Sequence, residues 1–70
     1  ILNISYEAQN IDDVELIILN SIGQLVFNYN NYSTNNFEMQ LDINDYSSGI
    51  YQILISTKKG YNLNKLVSIE

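Results

Sequence analysis

The run Asp42-Ile43-Asn44-Asp45-Tyr46-Ser47-Ser48-Gly49-Ile50-Tyr51-Gln52-Ile53-Leu54-Ile55-Ser56-Thr57-Lys58-Lys59-Gly60 decides the fold class. A short polar loop ends at Gly49, and an aromatic follows two residues later. From there Tyr51, Ile53 and Ile55 share one face at a spacing of two, the side-chain repeat of a strand and not of a helix. Lys58-Lys59-Gly60 closes the strand with a turn whose glycine suits a backbone at positive φ. Loop, strand and hairpin in this order form the edge-to-core corner of a β-sandwich.

Five further runs read as strands when the pattern is extended in both directions. Leu2–Tyr6 places Leu2, Ile4 and Tyr6 together. Val14–Leu19 is apolar on both faces, as a central strand would be. Gln24–Tyr29 groups Leu25, Phe27 and Tyr29. Phe37–Ile43 alternates strictly, and Leu63–Ile69 forms the last strand. Turn signals separate these runs at roughly 8–12-residue spacing, as in small sandwiches. Asn20-Ser21-Ile22-Gly23 repeats the glycine-ended turn of Thr57-Lys58-Lys59-Gly60. Both predict antiparallel hairpins, one joining the second and third runs and one joining the fifth and sixth. Asn30–Asn36 reads as a polar loop, and Asn44–Gly49 as a longer crossing connection. No segment carries a 3.6-residue period over ten residues. The expected fold is an all-β, immunoglobulin-like antiparallel sandwich of six to seven short strands, with residues 1–70 as a single domain and the seventh strand upstream of Ile1.

Composition sets the limits on function. Seventy residues, 46% of them hydrophobic, must hold together without Cys or His. A disulfide is therefore impossible, a zinc site lacks its usual ligands, and apolar packing plus the strand ladder must supply the stability. Eight acidic residues against three lysines give a net charge of −5, which argues against nucleic acid and against an anionic membrane surface. No apolar run approaches the ~20 residues of a membrane helix, so direct membrane insertion is not expected. The chain opens inside a strand pattern without a signal peptide and reads as a fragment of a longer protein.

Individual residues point to structure more than to chemistry. Tyr51 stands where a sandwich places a corner tyrosine that bonds its hydroxyl to upstream backbone; the plain alternative is a core aromatic. Tyr29, Tyr32, Tyr46 and Tyr61 lie in or beside loops, where they would cap the open ends of the fold or stack on sugar rings. Asp12-Asp13 and Asp42 with Asp45 could offer oxygens to calcium, but no dense acidic loop is present, and strand starts and loop bonds account for them more simply. Nucleophilic catalysis lacks both a His base and a Cys nucleophile, and the serines have no partner pattern. The three glycines are too far apart for a phosphate loop. Lys58, Lys59 and Lys65 are the only cations; they mark a charged hairpin tip and an edge strand protected from aggregation, or a recognition patch. No cofactor is expected.

Taken in order, these pieces resemble the C-terminal sorting domain, type A, of type IX secretion cargo in Bacteroidota. The resemblance spans nearly the whole chain. It runs through Leu2-Asn3-Ile4-Ser5, Leu16-Ile17-Ile18-Leu19-Asn20-Ser21-Ile22-Gly23-Gln24-Leu25-Val26, the segment from Leu41-Asp42-Ile43 to Gly49-Ile50-Tyr51, then Gly60 and Lys65-Leu66-Val67. Two departures stand out: the Pro-Asn-Pro segment with which the family usually opens would lie ahead of where this chain starts, and Asn20 stands where the family's turn often carries Asp. The resemblance implies a non-enzymatic address that takes cargo through the periplasm to the cell surface or the medium. Its implied partners are the type IX translocon, a shuttle barrel protein and a sortase-like protease that removes the tail. Gly23, Gly49 and Gly60 would set loop shape, Tyr51 would fix the corner, and Lys65 would make contact. The competing expectation is an immunoglobulin- or fibronectin-like accessory module that binds carbohydrate or spaces its neighbours. An open sheet edge would also allow a strand-swapped or edge-paired dimer.

Overall fold

The computed structural model describes every residue from 1 to 70. Four antiparallel strands, β1 (Leu2–Leu19), β2 (Leu25–Leu41), β3 (Gly49–Thr57) and β4 (Asn62–Ile69), form one sheet in the order β2-β1-β3-β4. The all-β, helix-free reading holds, and both glycine-ended hairpins are present. The strand count does not hold: the hydrogen-bonded architecture is a single sheet of four strands. The first two sequence runs are the two ends of β1, and the third and fourth are the two ends of β2.

The reason lies in the middle of the long hairpin. Asn30–Asn36 is polar, yet it keeps a strand backbone, because a polar side chain on an edge strand can face water without breaking the ladder. The pairing there is irregular: Glu7 faces Asn36 and Asp12 faces Thr34, so five steps along β1 match two along β2. Extra residues of this kind bend the strand that carries them. Across from them Ser33 sits at φ 53°, a left-handed conformation rare for any residue but glycine.

The bend turns the far end of the hairpin onto the face of the remaining sheet. Ten buried apolar residues form one cluster: Ile4, Tyr6 and Phe37 from the far end, with Val14, Leu16, Ile18, Tyr51, Ile53, Ile55 and Ile69 from the rest. Leu16 and Ile18 are the most deeply enclosed. Tyr6 stacks on Phe37 with ring centroids 5.2 Å apart. β1 supplies half of this core because it is a central strand for its C-terminal half, pairing with β2 on one side and with β3 on the other. The connection between β2 and β3 leaves from Leu41, opposite Leu2, turns at Ile43–Tyr46 and enters β3 at Gly49, with Ile43 and Tyr46 packed against the core.

Candidate recognition surface

The two hairpin turns are built alike. Gly23 N–H donates to the Asn20 carbonyl at 3.0 Å, and Asn20 N–H donates to the Gln24 carbonyl at 2.9 Å. Gly60 N–H donates to the Thr57 carbonyl at 3.0 Å, and Thr57 N–H to the Tyr61 carbonyl at 2.9 Å. Gly23 and Gly60 sit at φ 84° and 101°, where a β-carbon is strained. The side chain at the head of each turn finishes it: Asn20 Oδ1 accepts from Gln24 N–H at 2.9 Å, and Thr57 Oγ1 accepts from Tyr61 N–H at 3.0 Å. Asn at position 20 therefore performs the turn bond that an Asp would make.

Gly49 begins β3 opposite Ile69, and Tyr51 follows on the buried face. The Tyr51 hydroxyl donates to the Ser47 carbonyl at 2.6 Å, tying the strand to its own entry loop. Tyr46 packs on Tyr51 with centroids 5.6 Å apart, and burial together with the neighbouring Tyr51 raises the Tyr46 phenol above its usual pKa. Beside this corner lies an open groove of about 430 Å³ between the Asn20–Ile22 turn and the Asp45–Gly49 loop.

Five residues singled out in the sequence thus fall in three places. Gly23, Gly49 and Tyr51 gather at one end of the sheet. Gly60 lies at the opposite end with Lys58 and Lys59. Lys65 lies between them on the edge strand β4, opposite Ile53. The structure does not bring them into one constellation. Among the tyrosines, Tyr29 packs against Phe37 and Tyr46 against Tyr51, whereas Tyr32 and Tyr61 are exposed.

Sequence reasoning missed the joint made by Asp12 and Asp13. Asp12 Oδ1 accepts from Asp13 N–H at 2.7 Å and Oδ2 from Lys59 N–H at 3.1 Å. Asp13 Oδ1 accepts from Ser33 N–H at 3.0 Å, and the Asp13 carbonyl accepts from Lys58 N–H at 3.1 Å. The pair holds the bend of β2 on one side and the β3–β4 turn on the other. Desolvation opposes ionisation of Asp12, but the N–H bonds from Asp13 and Lys59, the Thr57 hydroxyl and the Lys59 charge outweigh it and hold its carboxyl below the usual range. Two adjacent short acidic side chains, able to cap nearby N–H groups, were the one available signal; a partner 47 residues away was not readable. Burial, then Tyr61 and Asp12, raise the Tyr6 phenol.

Charge is divided between the two hairpins. Residues 1–48 hold seven of the eight acidic residues and no lysine; residues 49–69 hold all three lysines and no acid. On the outer sheet face, away from the core, Val26, Ile50 and Leu66 are 38%, 49% and 63% exposed. No three potential metal-ligating side chains converge, and no helix is long and apolar enough to cross a membrane.

A family model described as a secretion system C-terminal sorting domain matches residues 1–70, the full chain. No curated protein and no solved structure matches it.

Proposed function

We propose that this chain, which belongs to the secretion system C-terminal sorting domain family, is read by its transport machinery as a folded surface rather than as a linear tag. Its role as a sorting signal for type IX secretion follows from the family: cargo crosses the outer membrane to the cell surface or the medium. The single observation that carries this is the family match along every residue. The fold supports the mode of reading. Six of the ten core residues come from one bent hairpin and four from the other, so the surface exists only when distant segments are packed together.

Several finer points belong to the same proposal. The folded-over end of the β1–β2 hairpin serves as the second layer of an immunoglobulin-like sandwich. The single core cluster and a shortest dimension of 15 Å support this, because stacked layers sit about 10 Å apart. The cargo travels through the periplasm with residues 1–70 as one domain. The translocon and a shuttle barrel protein engage it, and a sortase-like protease removes it. The domain carries out no turnover of its own. Gly23, Gly49 and Gly60 shape the loops, Tyr51 holds the corner, and Lys65 makes contact.

The test is a periplasmic reporter carrying residues 1–70 with its native upstream segment, expressed in a host with a working type IX system. Reporter in the medium or on the surface, and its retention after deletion of Leu63–Glu70, are expected. Retention with the tail intact would overturn the proposal.

A further inference from the structure

The two edges of the sheet differ. β2 is bent at Ser33 and lined by Asn28, Asn30 and Asn31, so it offers no long flat template. β4 is regular for eight residues and has β3 on one side only. The Thr57–Tyr61 bond closes its hairpin. Bonded and non-bonded pairs alternate along an antiparallel ladder, so Leu63, Lys65 and Val67 bond toward β3. Asn64, Leu66 and Ser68 then turn their N–H and C=O groups to the open edge.

Unpaired backbone groups beside an exposed apolar residue form a template for another strand. Leu66 is 63% exposed on the outer face, next to Gln52 and in line with exposed Ile50. Lys65 projects to the other face, between exposed Leu63 and half-buried Val67, so a docked strand meets the Leu66 side chain on one face and the single Lys65 ammonium on the other. The entire β3–β4 hairpin is free of acid.

We propose that the β4 edge docks an extended segment of a partner protein in which apolar and acidic residues alternate, the apolar ones covering Leu66 and the acidic ones facing Lys65. A second copy of this chain fits poorly, because β4 against β4 would bring two lysine-bearing, acid-free hairpins together. Lys65 thus repels a cationic strand and selects an acidic one. This deepens the sorting proposal by naming the partner's chemistry.

The probe is an acetylated, amidated peptide, Val-Glu-Val-Glu-Val-Thr-Val, and the same peptide with Lys for Glu, each at roughly millimolar concentration, as edge pairing by short strands is weak. Amide exchange is followed residue by residue on the full chain. The acidic peptide is expected to slow exchange at Asn64 and Leu66 by about tenfold or more, leaving Leu63 and Lys65 unchanged. It should bind about two- to fivefold tighter than the basic peptide, the worth of a cross-strand charge pair. Lys65→Glu should reverse that preference. Asn64→Pro, which removes an open-edge N–H and no ladder bond, should abolish the protection. Three results would overturn the proposal: no selective slowing, equal binding of the two peptides, or protection of Asn64 that grows with protein concentration without peptide. The reporter assay reads sorting independently, so a failed peptide test and a failed export test remain distinct.

Discussion

The ring of Tyr29 lies 5.4 Å from that of Phe37, although the two are eight positions apart on one strand. Eight extended residues span about 26 Å, so β2 must fold back on itself. Ser33, at φ 53° between them, is where the backbone does so.

Ser33 is therefore a test of the bend. A left-handed residue costs about 1–2 kcal/mol unless it is glycine, while glycine costs roughly 0.5–1 kcal/mol in chain entropy. Ser33→Gly should leave stability unchanged or raise it by up to about 1.5 kcal/mol. Ser33→Val should lower it, since β-branched side chains tolerate this region worst. Urea midpoints of the two variants check this; an equal or more stable Ser33→Val would show that the strand is not bent there.

Tyr51 and Ser47 allow a cleaner single-atom change. Tyr51→Phe removes only the hydroxyl that bonds the Ser47 carbonyl. The loss should be about 0.5–1.5 kcal/mol, the usual net worth of a hydrogen bond. Denaturant unfolding measures it, and an unchanged midpoint would mean that the corner is held by Tyr46 packing alone.

Gly60 and Gly23 have open space where a β-carbon would go, so any cost of Gly60→Ala is backbone strain and not collision. About 1–3 kcal/mol is expected, as for other forced positive-φ residues. Gly60→Asn should recover part of it, because Asn tolerates this region better than Ala. Equal stability of the two variants would count against a strained turn.

Asp12 predicts a pH effect. Its folded-state pKa is lowered, so the folded protein binds this proton more weakly than the unfolded chain. Its contribution is fully present above the ordinary carboxylate value of about 3.9, and is lost as pH falls through the lower folded value. Asp12→Asn should flatten the acid limb of a stability–pH curve, lowering stability most at neutral pH, where the contribution is fully present, and least in acid, where it is already lost. Superimposable acid limbs would contradict the bond to Lys59.

What could be read from the chain was what repeats locally. Alternation in Tyr51–Ile55 and Leu2–Tyr6 marked the strands and most of the core, and Gly23 and Gly60 marked both hairpins. The count failed at Ala8–Asp13 and Asn30–Asn36. Polar residues there looked like loops, but Asn30–Asn36 lies on an edge strand, which can be polar and still largely paired, and Ala8–Ile11 are the extra residues that bend β1 without interrupting its extended backbone. The Asp12–Lys59 joint was invisible because its partners are brought together only by the finished fold. Lys65 was readable as an edge residue, whereas the direction of its backbone neighbours follows only from the hairpin register.

The most direct test of a folded address uses the residue whose side chain never meets solvent, Leu16, 0% exposed. Leu16→Asp buries a charge in the centre of the core and should unfold a domain of this size, while leaving every surface residue in the sequence. The measurement is the exported fraction of a reporter fused to wild-type or Leu16→Asp tail, normalised to total reporter. The account predicts export of the first and retention of the second; equal export of both would contradict it.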